Sequence, residues 1–285
     1  DARSGVPFRT YLTIYARAST RGSLHLGDKI RSFLVTTAED QKNAAALRVP
    51  SCYLFYCIGE GGALQRRGLP ASARGGVMGV FDDGTTDWDS VDHARLARDI
   101  VSECARRSYG GVLLDFQESA GALEAVRRIA PALTAKRLTH FVPLALSQAS
   151  EHGKVIVPSD ISGGSFADML RHYTVRFPPE RLCLELVRVC SDFVMPSYTA
   201  EGRPLSAGEF RGLLERYSPQ SYFSAELCAK YFTYQDDSRQ VHFLLHDDPS
   251  TAAQKIQAAA AQGYFAAFLL YRDWGPAAAD IMAFA

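Results

Sequence analysis

The run Tyr109-Gly110-Gly111-Val112-Leu113-Leu114-Asp115-Phe116-Gln117 constrains the fold more than any other part of the chain. It is apolar for several residues and then ends in two polar groups, Asp115 and Gln117, spaced two apart. Side chains on a strand alternate faces, so Leu113, Asp115 and Gln117 share one face while Val112, Leu114 and Phe116 share the other. A buried parallel strand whose last residues turn polar is what a β/α barrel uses to present chemistry at its C-terminal rim. A core strand that simply becomes polar where it leaves its sheet fits the same pattern.

Strand-like and helical runs alternate along the rest of the chain, which points to parallel α/β architecture. The strand-like runs are Arg9–Ala16, Ser51–Ile58, Gly76–Phe81, Gly111–Phe116, His140–Leu146, Asp192–Tyr198, Leu227–Tyr234 and Tyr264–Tyr271, eight in all. The clearest helix follows the third run, with Ser90 or Asp89 as its cap, an apolar stripe from Val91 to Cys104, and Arg106 and Arg107 in its last turn, where cations suit the helix dipole. Ser206 with Glu209 three residues on reads as a capping box, and Gly263 as the glycine that stops a helix over Ser250–Gln262. Between Ser147 and Pro179 a strand-like Lys154-Val155-Ile156-Val157 intrudes, readable as an extra hairpin or lid. There is no linker, charge block or internal repeat, and barrels of about 250 residues are routinely undivided. The expectation is a single domain over residues 1–285, an eight-stranded (β/α)8 TIM barrel.

Lys plus Arg and Asp plus Glu both number 31, so the chain is neutral. That argues against a nucleic-acid partner, which calls for a basic excess. No apolar run approaches the ~20 residues of a membrane span. No signal peptide stands at the start, and the first residue is Asp1 rather than Met, so any leader would have been removed and export is neither shown nor excluded. The six cysteines (Cys52, Cys57, Cys104, Cys183, Cys190, Cys228) show no metal-type spacing and read as free buried thiols, with a disulfide or two left open. Nothing in the chain has the pattern of a phosphate loop, a Ser-His-Asp triad or a His-rich metal site, and no cofactor or metal is expected.

The Tyr109–Gln117 run resembles the fourth-strand motif of the family-18 glycoside hydrolases, the chitinase family, in which four acids are spaced DxxDxDxE. On that pattern Gly110 and Leu113 replace the first two aspartates, Asp115 keeps the third, and Gln117 stands in place of the glutamate that serves the family as proton donor. The run His246-Asp247-Asp248-Pro249-Ser250, with Lys255 and Gly263, is similar to the family's run before its last strand. Phe265–Tyr271 with Trp274 is similar to that last strand, which ends in a substrate-stacking tryptophan, and Tyr271 falls about where it belongs. Asp192–Tyr198 resembles the sixth strand, with Tyr198 as its tyrosine and Thr199 where its aspartate belongs. The resemblance also implies an α+β insertion between the seventh strand and its helix in members with a deep cleft. Only Gln235–Asp248 is available for one in this reading, so the expected barrel lacks the insertion and carries an open, shallow groove.

The resemblance implies a substrate-assisted mechanism, in which the glutamate protonates the leaving oxygen and the substrate's own acetamide attacks the anomeric carbon, oriented by the neighbouring aspartate. Gln117 donates a hydrogen bond but has no proton to give, and loss of general-acid help costs about 10²–10⁴ in rate. Asp115 and Tyr198 are therefore expected to hold an N-acetylglucosamine-containing glycan, of chitin or peptidoglycan type, with hydrolysis lost or weak. The alternatives are an active retaining hydrolase, with Gln117 an engineered change or the acid displaced to Glu118, Asp82, Asp83, Glu60 or Asp273, and a barrel that has abandoned its groove and binds protein. Sugars stack their C–H faces on rings, so Tyr15, Tyr56, Tyr234, Tyr271 and Trp274 are the expected substrate contacts, with Phe81 and Trp88 as further rings. Arg272 and Gln235 are candidates for hydroxyl groups, and His246 is read as structural. The resemblance favours an exported or cell-surface protein.

Overall fold

The structure is a computed structural model and describes residues 30–284 apart from 71, 85, 162–163 and 198–201. Eight parallel strands close into a barrel: β1 (Arg31–Thr37), β2 (Ser51–Ile58), β3 (Val77–Phe81), β4 (Gly111–Asp115), β5 (Thr139–Pro143), β6 (Lys154–Pro158), β7 (Leu182–Leu186) and β8 (Ala266–Leu270). Each pairs with its neighbour in sequence, and β8 returns to β1 in register from Arg31↔Ala266 to Val35↔Leu270. A short antiparallel strand, Leu64–Arg66, pairs with the far end of β2, where β1 has already ended.

Alternation along the strands builds the layers. Inward residues such as Phe33, Val35, Val77, Leu113, Phe141, Ile156, Cys183 and Phe268 fill the barrel with a single apolar cluster. Phe268 sits at its centre, 5.4 Å from Phe33 and 5.1 Å from Phe141 between ring centroids. Outward residues pack under the helices. Val112 and Leu114 meet the helices His93–Arg107 and Ala120–Ala135. Leu182, Leu184 and Leu186 meet Phe166–Arg176 and Pro249–Ala261. The helix after β3 is capped by Asp92, whose carboxylate accepts from the Arg95 N–H, because Trp88–Ser90 is taken up in a 3-10 turn. Ser206 and Glu209 form the expected capping box, and Gly263 follows its helix at φ +82°, a conformation glycine adopts without strain.

The strand count holds, but three of the barrel's strands are not the expected ones. Arg9–Ala16 lies outside the described residues. The runs at Asp192–Tyr198 and Leu227–Tyr234 correspond to Cys190–Met195 and Ala229–Gln235, which belong to a separate five-stranded antiparallel sheet. Their places in the barrel are taken by β1, by β6 (the intruding Lys154–Val157 run) and by β7. With β7 ending at Leu186, the connection to the helix at Pro249 is long, and it folds as that sheet together with the helix Ala207–Tyr217. The chain therefore does carry an α+β insertion at the position where the resemblance puts one, and the expected lack of it is corrected. The neck of the insertion is closed by two hydrogen bonds: Val189 N–H donates to the Asp247 carboxylate at 3.0 Å, and Asp247 N–H donates to the Val189 carbonyl at 2.8 Å.

Candidate functional site

The C-terminal ends of the strands surround a cavity of about 630 Å³. Its floor and walls are apolar, from Val35, Leu54, Leu113, Ile156, Phe268 and Leu270, and its polar groups are few: Thr37, Asp40, Asp115, Glu185, Tyr271 and Arg272. A mostly apolar hollow with a small number of converging polar groups has the make-up of a small-molecule or sugar site.

Asp115 is the last residue of β4 and stands one inward position above Leu113, as the two-residue spacing requires. Burial, and then the nearby charge of Asp82, push its carboxyl above the ordinary carboxylate range. Asp82 itself is buried and accepts a hydrogen bond from the Gln117 N–H at 2.9 Å; burial still raises it. Gln117 has left the strand and is exposed, with its amide beside Gly84 of the loop after β3. It does not line the cavity.

A second carboxylate does. Glu185 is the fourth residue of β7 and half-buried. Burial pushes it up first, followed by Asp115, Asp160 and Asp273, while Arg272 pulls the other way. Neither Asp115 nor Glu185 has a hydrogen-bond donor to its carboxylate among the described residues. The sequence carried a signal for Glu185: Leu182-Cys183-Leu184-Glu185-Leu186 alternates just as β4 does.

The expected contacts divide sharply. Tyr271 and Arg272 lie at the mouth. Tyr15 and Tyr198 fall outside the described residues. Tyr56 points away from the cavity: the pairing register of β2 slips between Leu54 and Tyr56, so Leu54 lines the cavity while Phe55 and Tyr56 pack outside the barrel. There the Tyr56 hydroxyl donates to Glu103 at 2.8 Å and lies 3.3 Å from the Tyr109 hydroxyl. Tyr234 belongs to the insertion, where it donates to Asp192 at 2.9 Å and stacks on His242. Trp274 is 6% exposed and packed under the helices, its indole N–H donating to the Leu186 carbonyl. These three are corrected from substrate contacts to structural residues, as is Gln235, whose amide donates to the Arg239 carbonyl within a hairpin. Trp88 packs on Phe116 at 5.2 Å.

The run at His246–Lys255 is structural throughout. Asp248 caps the helix Pro249–Ala261, Asp247 pairs with Lys255 at 2.7 Å, and His246 meets the Ser221 hydroxyl at 3.1 Å. All six cysteines are free and burial raises five of their thiols, Cys104 to about 12 and Cys190 to about 11. Among the described residues no group of three or more His, Cys, Asp or Glu is arranged to hold a metal ion, and no helix is long and apolar enough to cross a membrane.

No family model and no curated protein matches the sequence. Solved structures do match. The spore cortex-lytic enzyme SleL of Bacillus megaterium QM B1551 superposes with a TM-score of 0.60 at 12% identity, over 90% of this chain and 74% of that one. A chitinase from Chromobacterium violaceum ATCC 12472 gives 0.58 at 17% identity, over 84% and 93%. A GH18 chitinase from Cycas revoluta, solved in complex with (GlcNAc)3, gives 0.58 at 13% identity, over 89% and 97%. At these identities the likeness speaks for architecture, and it shows that this chain has the closed parallel barrel fold of the chitinase catalytic domains.

Proposed function

We propose that the chain is a chitinase-like barrel that binds an N-acetylglucosamine-containing glycan, of chitin or peptidoglycan type, in the cavity at the barrel mouth. The observation that carries this reading is Asp115, set at the end of β4 above an apolar floor, with no donor to its carboxylate among the described residues. Such a group accepts a hydrogen bond from an acetamide N–H, and a charge-assisted bond of that kind contributes about 1.5–3 kcal/mol. Tyr271 and Arg272 at the rim supply a ring for the apolar face of a sugar and donors for its hydroxyls. Two of the matching structures support the choice of ligand by their names: a chitinase holding (GlcNAc)3 and a spore cortex-lytic enzyme. Hydrolysis by the family's own route is lost or weak, because Gln117 has no proton to give and sits outside the cavity.

Isothermal titration with chitooligosaccharides and peptidoglycan fragments tests the reading. Binding to the wild-type chain that falls at least tenfold in Asp115→Asn is the expected result. No binding of either glycan would favour the second reading, a barrel whose mouth is disused and whose outer surface meets protein.

A further inference from the structure

We propose that Glu185, on β7, is the proton donor of this barrel, acting across the cavity from Asp115 in place of the missing acid on β4. This rests on the glycan-binding reading above.

The position of Glu185 carries the argument. It lines the same cavity as Asp115, three strands further round the eight-stranded barrel, so a sugar in the cavity meets both carboxylates from different sides. Its backbone is held in the ladder: β8 pairs with it through Phe268↔Glu185 and β6 through Pro158↔Glu185. A group on a strand is positioned more rigidly than one on a loop. Gln117, by contrast, lies past the end of β4, beside a loop glycine.

The surroundings suit a donor. The charged groups facing Glu185 are Asp115 from β4, Asp160 after β6, and Asp273 and Arg272 after β8; Asp40 after β1 lines the same cavity and is occupied by the Thr37 hydroxyl at 3.0 Å. Three of the four groups that act most on Glu185 are acids, and with burial they favour its protonated form. Asp115 is raised as well, and two interacting carboxyls titrate as a pair, so one of them holds a proton at a pH where an isolated acid would have lost it. A carboxyl raised above the ordinary carboxylate range is the kind of group that general-acid catalysis of glycoside cleavage uses.

The step balances. The Glu185 proton passes to the glycosidic oxygen as the C1–O bond breaks, and the leaving sugar departs as an alcohol. The acetamide oxygen of the remaining sugar bonds to C1, and the positive charge that forms is met by the Asp115 carboxylate at the acetamide N–H. Water then gives a proton to the Glu185 carboxylate as its oxygen bonds to C1 and the acetamide is released. The sum is one glycosidic bond and one water consumed, and the acid is restored.

The experiment compares wild type with Glu185→Gln on two substrates, chitotetraose and 2,4-dinitrophenyl chitobioside, with binding measured beside turnover. Glu185→Gln is expected to lower chitotetraose cleavage by about 10²–10⁴-fold with affinity retained. It should leave the dinitrophenyl substrate little affected, because that leaving group needs no proton. The wild-type rate should fall as pH rises through the raised titration of the pair, and that limb should vanish in the variant. Glu185→Asp, which keeps a carboxyl at shorter reach, should retain measurable cleavage and guards against misfolding of the first variant. Equal losses on both substrates would make Glu185 a structural residue and overturn the proposal. So would a wild-type chain that binds chitotetraose and releases no product, although glycan binding would then stand. A chain that binds neither chitotetraose nor peptidoglycan fragments would remove the glycan reading and the donor with it.

Discussion

Asp247 and Asp115 are both carboxylates withdrawn from water, and the chain surrounds them in opposite ways. Asp247 is 2% exposed and fully supplied, with the Lys255 ammonium at 2.7 Å, the Thr251 hydroxyl at 2.9 Å and the Val189 N–H at 3.0 Å. Asp115, like Glu185 across the cavity, has no donor among the described residues. Buried charge is costly unless paired. The supplied acid is therefore a fastening of the fold, and the other two, without a donor among the described residues, are the ones that the proposed function assigns to a ligand. Both Asp115 and Asp247 sit in stretches that resemble chitinase motifs, so resemblance alone did not separate them. Hydrogen-bond supply does.

The largest effect should come from breaking the fastening. Lys255→Ala leaves Asp247 charged and unpaired at the neck of the insertion, and is expected to cost about 3–5 kcal/mol in urea unfolding. A loss below about 1 kcal/mol would mean that Asp247 is not the buried partner described, and the comparison would fail at its structural end.

Tyr56→Phe comes next. It removes a donor to Glu103, a carboxylate that also receives Arg106 and Arg107, and should cost about 1.5–3 kcal/mol with glycan affinity unchanged. Weaker glycan binding in this variant would put Tyr56 on the ligand's side of the barrel.

The smallest stability change, and the most telling sign, belongs to the mouth. Asp115 and Glu185 titrate above their unfolded values of about 4. Between the unfolded and the folded values these two groups bind more protons in the native state than in the unfolded chain, so their contribution to stability should fall as pH rises through that window. The double variant Asp115→Asn, Glu185→Gln should lose this slope and be no less stable than wild type at pH 7. A wild-type minus double-variant difference in stability that instead rises with pH through that window would mean that the two acids are paired after all.

How much of this was legible in the sequence varies with the kind of signal. β2 and β4 were readable because each is a compact apolar run, and the inward position of Asp115 followed from two-residue spacing alone. β7 was not, because one inward acid interrupts five residues that otherwise alternate cleanly. With β7 unmarked in the sequence, the insertion is hidden too, and Tyr234 falls at a barrel rim rather than in a hydrogen bond with Asp192, while the last strand is still legible. Trp274 and Tyr56 are illegible for a different reason. Aromatic residues near strand ends serve cores and sugars equally well, and the register slip in β2 that turns Tyr56 outward leaves no trace in residue type.

The clasp at the insertion's neck has a consequence for how such a chain changes over generations. Val189 and Asp247 are held together by one backbone hydrogen bond and one from the Val189 N–H to the Asp247 carboxylate, so the segment from Cys190 to His246 leaves and rejoins the barrel at adjacent points. The entropic cost of closing a loop grows by only about 0.6 kcal/mol for each doubling of its length. The length of the segment can therefore vary at little entropic cost to the barrel; its further ties are the Phe166 N–H bond to the Glu226 carbonyl at 2.8 Å and Cys228, which packs among the residues outside β7.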